Sequence, residues 1–401
     1  MNAADKSAIE KILAVVPAWR GVTSAAKAVN LADYELLHCG PPSDPCNALV
    51  APILNSAAVA CVYEGWAQTL TEADHLIKSG KVKFSPAQDR NIVTPMAAVV
   101  SPSMKLTEFV DLNAPNHLAW APLNGGGTGA DPVPRYGYKS QAAIDFLVFL
   151  NDEVGLAVAK VSESAPVEWL PIIDMALTLG DDGHLRHIEA HKILVEVIRE
   201  RLGANFASKA VEEFIEKWPF LHLNFWMAAS KLILSAANGI KGSSIITALG
   251  GNGNEFGLQI AGLPGNWFTC PASPPLGKIR EPFTTETCVG AFGDSAVAEG
   301  LGLGAMAQSY CPDMQSLHSS FTPDDIFELP EKLLMAQHPG MEKSGARVGL
   351  SARAIVESNV TPVLELGIAD KHGINGGLGA GIYRPPMALF SGVCEALNYF
   401  Q

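Results

Sequence analysis

A chain of 401 residues is longer than one ordinary domain, and 48% apolar against 17% charged residues describes packed cores, so extended disorder is excluded. A formal charge of -13 excludes a nucleic-acid partner, since no basic field exists to displace counterions from phosphates; small anions could still bind locally. Seven scattered cysteines with no C-x-x-C pair fit reduced thiols in the cytoplasm, and the polar segment Met1 to Lys11 lacks the basic and apolar regions of a secretory leader.

In chain order, Ser7 to Val15 spaces its apolar residues for a helix. Tyr34 to His38 predicts a short strand running into the loop Cys39-Gly40-Pro41-Pro42. Ala48 to Trp66 is rich in small residues and reads as helical or mixed, and Thr71 is the expected N-cap of a helix through Ser79. Ile92 to Ser101 and Leu106 to Leu112 follow as strands. The glycine-rich segment 124–137, with Arg135 as its one cation, closes this part as a linker or binding loop.

Helical patterns come next at Ser140 to Ala159, Pro166 to Leu179, His184 to Leu202 and Ala207 to Lys217. The apolar Leu221 to Ile240 carries His222, Asn224, Ser230, Lys231 and Asn238, which a bilayer span would not tolerate, so a core helix and no membrane association are expected. From Ser243 strands and turns return: a turn at Asn252-Gly253-Asn254, a strand at Phe256 to Ala261 and a strand end at Trp267 to Pro271. Asp324 to Met335 reads as a short helix, Ser351 to Ser358 and Val363 to Ile368 as strands, and Pro385 to Phe400 as a closing helix. The expected fold is α+β (mixed α/β): an N-terminal α/β domain over 1–137, a helical domain over 138–240 and a C-terminal α/β domain over 241–401.

Four features could carry chemistry. Gly293 to Ala307 joins Asp294 and Ser295 to glycines at 300, 302 and 304; amides at a helix start and close-approach glycines suggest a cradle for phosphate or carboxylate, tight packing being the competing use. Gly376 to Gly381, with Gly379 inside it, precedes Arg384, which could clamp an anion or form a surface ion pair. Asn252 and Asn254 offer amides to an amide-like substrate such as a ureido group, or simply shape a hairpin turn.

The densest cluster is Gly180-Asp181-Asp182-Gly183-His184-Leu185-Arg186-His187, with His191 one turn on. On a helix, 184, 187 and 191 would fall within roughly 60° of one face, so a divalent metal stays open, but no H-E-x-x-H pattern assigns one. His184 as an acid/base held by a neighbouring carboxylate is the more economical reading, and a helix start capped by Asp181 or Asp182 is its alternative. No Ser-His-Asp elbow, Walker loop or G-x-G-x-x-G opening a βαβ unit is present.

Several short motifs occur together. Leu37-His38-Cys39-Gly40-Pro41-Pro42, Tyr63-Glu64-Gly65-Trp66-Ala67, Pro95-Met96, Gly180-Asp181 with His184 and Arg186, Asn252-Gly253-Asn254, Trp267-Phe268-Thr269, Gly293-Asp294-Ser295-Ala296 and Gly377 to Pro385 stand in the order in which the chain resembles the YlbE/YahG-like bacterial family. That resemblance spans nearly the whole chain and includes the AllG-type subunit of oxamate carbamoyltransferase. Two departures stand out: His187 replaces an asparagine, and the loop at 124–134 is built differently.

The resemblance implies allantoin breakdown in a heteromeric complex with an FdrA-like and an AllH-type subunit, in which oxalurate and phosphate give oxamate and carbamoyl phosphate. No cofactor is implied, and a homodimer is compatible with it. At the matching positions, side-chain chemistry nominates glycine-run amides with Arg384 or Arg135 for phosphate, Asn252 and Asn254 for the carbamoyl oxygen, and His184 with Asp181 or Asp294 as base. A non-catalytic assembly subunit and a hydrolase of a related ureide are the competing readings.

Overall fold

The computed structural model describes residues 1–43, 49–126 and 131–399; Cys46, part of the loop at 124–134 and Phe400 lie outside the described residues. Asn2 caps α1 (Ala3–Leu13) by accepting the Asp5 amide, and the helix buries Ala8, Ile9 and Ile12. Strand β1 (Pro17–Ser24), the turn-length α2 (Ala25–Val29) and β2 (Glu35–His38) lead into α3 (Ala51–Tyr63) and α4 (Leu70–Lys78). The cap of α4 is Thr69, not Thr71. Its hydroxyl accepts the Glu72 amide while the Glu72 carboxylate accepts the Gln68 amide.

β3 (Lys83–Pro86) pairs in parallel with β2. The expected strand at 92–101 supplies only single bridges, because Pro95 donates nothing and Met96 has a positive φ of 45°. β4 (Lys105–Asp111) forms as expected, and β5 (Ala114–Pro122), not foreseen, folds back on it.

The helical stretch comprises α5 (Gln141–Val148), a π-helical segment at Phe149–Val154, α6 (Gly155–Ala159), α7 (Leu170–Thr178), α8 (Ile188–Leu202), α9 (Lys209–Lys217) and α10 (Phe220–Ser235). Between α6 and α7, β6 (Val167–Glu168) joins the N-terminal sheet, whose order is β5-β4-β1-β6. In α10 all fifteen residues after Phe220 are buried. Its polar side chains are used inside the protein: Asn224 donates to the Pro122 carbonyl, and Lys231 Nζ donates to the Thr247 carbonyl at 3.1 Å. No helix of the described residues is long and apolar enough to cross a membrane.

The remainder builds two further sheets. β7 (Ile246–Asn252), β8 (Glu255–Ile260) and β9 (Phe268–Pro271) pair with the later β11 (Phe292–Gly293) in the order β11-β7-β8-β9. β10 (Leu276–Ile279) pairs with β15 (Gly377–Tyr383), which also pairs with β14 (Leu364–Ala369). The second glycine run thus lies largely within a strand. The connecting elements are α11 (Ala296–Leu301), α12 (Pro312–His318), α13 (Leu329–Leu333), the ribbon β12 (Leu334–Gln337) and β13 (Arg347–Leu350), α14 (Ala352–Ser358) and the final α15 (Met387–Tyr399). Segment 351–358 is helix α14 and not a strand, because the Ser351 hydroxyl caps the Ala354 amide and Asn359 ends the helix in the left-handed conformation.

Apolar packing crosses both expected domain boundaries. One cluster joins Trp19 and Phe109 of the first sheet to Trp169 and Phe225 of the helical stretch and to Val297, Leu301 and Leu303. Trp19 and Phe225 meet edge-on at 4.7 Å, and Phe109 and Trp169 at 5.2 Å. A second cluster belongs to the C-terminal sheets and α15.

Asp294, fully buried between β11 and α11, ties the N-terminal unit to the C-terminal one. It accepts the Gly40 amide at 2.8 Å, the Thr94 amide at 3.0 Å and hydroxyl at 3.2 Å, and Gln88 Nε2 at 2.7 Å. Asp294→Ala would strand these donors at about 1–3 kcal/mol each, so a loss of about 3 kcal/mol or more is expected in urea unfolding. Arg384→Ala, which removes an exposed ion pair with Asp325, is expected to stay within about 1 kcal/mol of the parent.

Candidate functional site

The loop between α7 and α8 is fixed by two carboxylates. Asp181 accepts the Ile188 and Ala190 amides at 3.1 and 2.8 Å and pairs with Arg186 at 2.7 Å, so it caps α8. Asp182 Oδ1 accepts the amides of His184 and Arg186. Because α8 starts at Ile188 with His187 as its N-cap, His184 and His187 precede the helix and the three imidazoles do not share a helical face. His187 Nε2 donates to the His184 carbonyl at 2.5 Å, and His222 Nδ1 lies 3.3 Å from His187 Nδ1. Among the described residues no group of three His, Cys, Asp or Glu side chains could hold a metal ion.

His184 is presented differently. Its ring is 1% exposed and its Nδ1 lies 2.7 Å from Oε1 of Glu299, on α11. Glu299 also accepts the amides of Ala305, at 3.0 Å, and Glu365, at 2.9 Å. Gly304 has a φ of +62°, its amide donates to the Asp182 carbonyl, and a Cβ on it would stand 2.0 Å from Glu299 Oε1. The carboxyl group seated against the first glycine run therefore belongs to the chain itself.

Burial pushes His184 down to about 4 and Glu299 well above the usual carboxyl range. Both shifts disfavour the charged forms of the two groups. Glu365, on β14, is also pushed well up by burial, with the charges of Asp182 and Glu299 adding to it. Its Oε1 accepts Gln308 Nε2 at 2.7 Å, while Asp182 Oδ2 and Glu365 Oε2 have no hydrogen-bond partner among the described residues.

His184 lines a cavity of about 100 Å³, small for a nucleotide and suited to a small acid. Opposite chemistry comes from Arg135, which is 3% exposed and also lines it. The guanidinium sits 4.5 Å from the Tyr136 ring and 4.7 Å from the Phe220 ring, and donates to Asn124 Oδ1 and the Gly125 carbonyl. These contacts hold a buried cation in one orientation. Ser295, which makes no side-chain capping bond to α11, Met96 in its strained conformation, and the backbone at Gly367 and Gly379 complete the wall. An oriented cation, a neutral imidazole and a hydroxyl on one small cavity can bind a small anion and move a proton on it.

The other expected residues stand apart from this cavity. Burial pushes Asp294 up to about 6 against its hydrogen bonds, and its oxygens face the Gly40, Gln88 and Thr94 donors. Asn252 accepts the Asn254 and Glu255 amides and donates to the Pro41 carbonyl, shaping the hairpin, while Asn254 is exposed. Gly302 ends α11 against Leu334, and Arg384 pairs with Asp325 beside a different groove. The cavity thus gathers His184, Ser295, Gly379 and Arg135, with Gly304 behind them. Glu299 and Glu365 went unnoticed in the sequence. One signal was present: Glu299 is the only charge between Asp294 and Asp313, in a run of small apolar residues that predicts burial.

A family model described as oxamate carbamoyltransferase subunit AllG matches residues 82–295, more than half of the chain. The chain belongs to the AllG family. The match includes Arg135, His184 and Ser295. Along 98% of its length the chain is 28% identical to "Oxamate carbamoyltransferase subunit AllG" of Escherichia coli (strain K12), covering 97% of that protein. It is equally similar to "Uncharacterized protein YahG" of the same strain, covering 86% of it. A crystal structure of a conserved protein of unknown function from Enterococcus faecalis V583 superposes with a TM-score of 0.91 at 26% identity, over 99% of this chain and 97% of that one.

The buried histidines of this AllG-family chain set its response to acid. Eight of the ten have pKa values lowered, burial being the largest cause in each. A folded value below the unfolded one gives stability that is full above about 6.5 and lost as pH falls toward about 4. Four carboxyls shifted upward, Asp181, Asp294, Glu299 and Glu365, bind protons in the folded state and offset part of this. The histidines outnumber them. Unfolding free energy is expected to drop between pH 6.5 and 4.5 by about 1.4 kcal/mol per pH unit for each uncompensated proton; urea titrations giving a flat profile would contradict this.

Proposed function

We propose that this chain is the subunit of an oxamate carbamoyltransferase that binds the small ureido acid, with the site in the His184–Arg135 cavity. The observation that carries the reading is the convergence of a buried, oriented cation and a buried neutral imidazole on one cavity in a chain of the AllG family. The reaction is that of oxalurate with phosphate, giving oxamate and carbamoyl phosphate in allantoin and purine-nitrogen catabolism in the cytoplasm. The proposed partners are an FdrA-like and an AllH-type subunit, and no cofactor takes part.

Arg135 holds the oxalurate carboxylate by charge-assisted hydrogen bonds. A hydrogen phosphate oxygen attacks the carbamoyl carbon while His184 Nε2 takes the phosphate proton. The C–N bond to the oxamate nitrogen then breaks, and His184 returns the proton to that nitrogen. In this reading Ser295, which lines the cavity, donates to the carbamoyl oxygen as charge develops on it. His184 stays neutral above about pH 4, so the acid limb of the rate profile should not appear until well below neutrality.

The test is phosphate-dependent carbamoyl phosphate formation from oxalurate by the chain together with its partner subunits. His184→Gln is expected to lower kcat by roughly 10²–10⁴-fold. Arg135→Ala is expected to raise KM for oxalurate by about tenfold or more, the loss of a charge-assisted contact. Full activity of both variants would move the chemistry to a partner and leave this chain an assembly subunit. Ammonia or carbamate release without phosphate would favour ureide hydrolysis.

A further inference from the structure

We propose that Glu299 is a positioning residue for His184, which holds the imidazole with its proton on Nδ1 so that the Nε2 lone pair faces the cavity. This deepens the carbamoyl-transfer reading and rests on it only for the catalytic consequence. Three observations carry it. The Nδ1 to Oε1 distance is 2.7 Å with both side chains 1% exposed, so no water competes for the contact. Among the described residues, His184 Nε2 has no hydrogen-bond partner, while the ring lines the cavity. The same Glu299 carboxyl accepts backbone amides from two separate segments, Ala305 and Glu365.

Those backbone donors decide where the proton lies. Burial pushes the Glu299 carboxyl up, but an amide N–H aimed at a carboxyl oxygen favours its ionised form, and both oxygens are so occupied, Oε1 by the Glu365 amide on the atom that meets His184 and Oε2 by the Ala305 amide. The proton of the Nδ1 to Oε1 contact therefore rests on nitrogen, and a neutral imidazole with Nδ1–H has its basic site at Nε2. Gly304 is part of the device. Its missing Cβ makes the room in which Glu299 Oε1 stands, and its amide bonds to the carbonyl of Asp182, two residues before His184.

Asp182 and Glu365 are the titratable neighbours of this pair from the α7–α8 loop and β14, and burial pushes the Glu365 carboxyl well up. His187 faces the loop through its bond to the His184 carbonyl, which leaves Nδ1 of His184 to Glu299.

The decisive measurement is the ¹⁵N spectrum of histidine-labelled protein at neutral pH, with His184→Gln identifying the His184 signals. The expected result is a protonated Nδ1 and an unprotonated Nε2 in the parent. Glu299→Gln, which keeps the shape and an acceptor oxygen, should retain that tautomer, whereas Glu299→Ala and Gly304→Ala should lose it. In the assembled enzyme Glu299→Ala should lower kcat by about 10²-fold with KM within about twofold, and Glu299→Gln should recover most of the loss. An unprotonated Nδ1 in the parent overturns the proposal, as does an unchanged tautomer in Glu299→Ala. If Glu299→Ala does not fold, the parent and Glu299→Gln spectra still decide. The expected tautomers in a complex that forms no carbamoyl phosphate would sink the carbamoyl-transfer reading and leave the positioning role standing.

Discussion

A carboxyl group buried without a Lys or Arg partner among the described residues is the constraint around which the centre of this molecule is arranged. Glu299 sits fully enclosed on α11, and desolvation of its charge would be prohibitive if nothing faced it. The chain supplies an imidazole from the α7–α8 loop, an amide from the turn after α11 and an amide from β14. Each comes from a different part of the sequence, so the loop that carries His184, the glycine run and the β10-β15-β14 sheet are placed by the same few hydrogen bonds. Glu365 repeats the theme beside it, a second buried carboxyl pushed well up by burial.

The second organising element is α10. Two polar side chains of this helix buried all round, Asn224 and Lys231, bond to carbonyls at the end of β5 and within β7. These bonds register the N-terminal sheet and the C-terminal sheet against one helix. Phe220, at the start of that helix, then packs on Arg135. The cavity between His184 and Arg135 is thus bounded by two elements whose positions are set by buried polar contacts rather than by apolar packing alone.

Much of the fold was legible where local rules dominate. The buried helix was readable from its unbroken apolar run, the hairpin from Asn252-Gly253-Asn254, and β4 and β14 from β-branched and apolar runs. Errors arose where a side chain competed with propensity. Ser351 and Asn359 cap seven residues into a helix that their composition alone suggested was a strand, and Thr69 with Glu72 moves the start of α4. β5 was invisible because Pro115 and His117 interrupt the alternation of a strand whose partner, β4, alone makes it regular.

For the site, the sequence by itself determined which groups exist to do chemistry: a histidine among acids, glycines that admit close approach, and one arginine in a breaker-rich segment. Only the tertiary structure decided which of them meet. His184 and Glu299 are 115 residues apart, and no local rule pairs them. Conversely, Asp294, Asn252 and Arg384 carry suitable functional groups, but their hydrogen-bonding capacity is directed to Gly40, to a turn and to Asp325. The physical reason is common to both outcomes: a buried polar group must satisfy its hydrogen bonds wherever the fold puts it, and the partner is fixed by which segments the apolar core brings together.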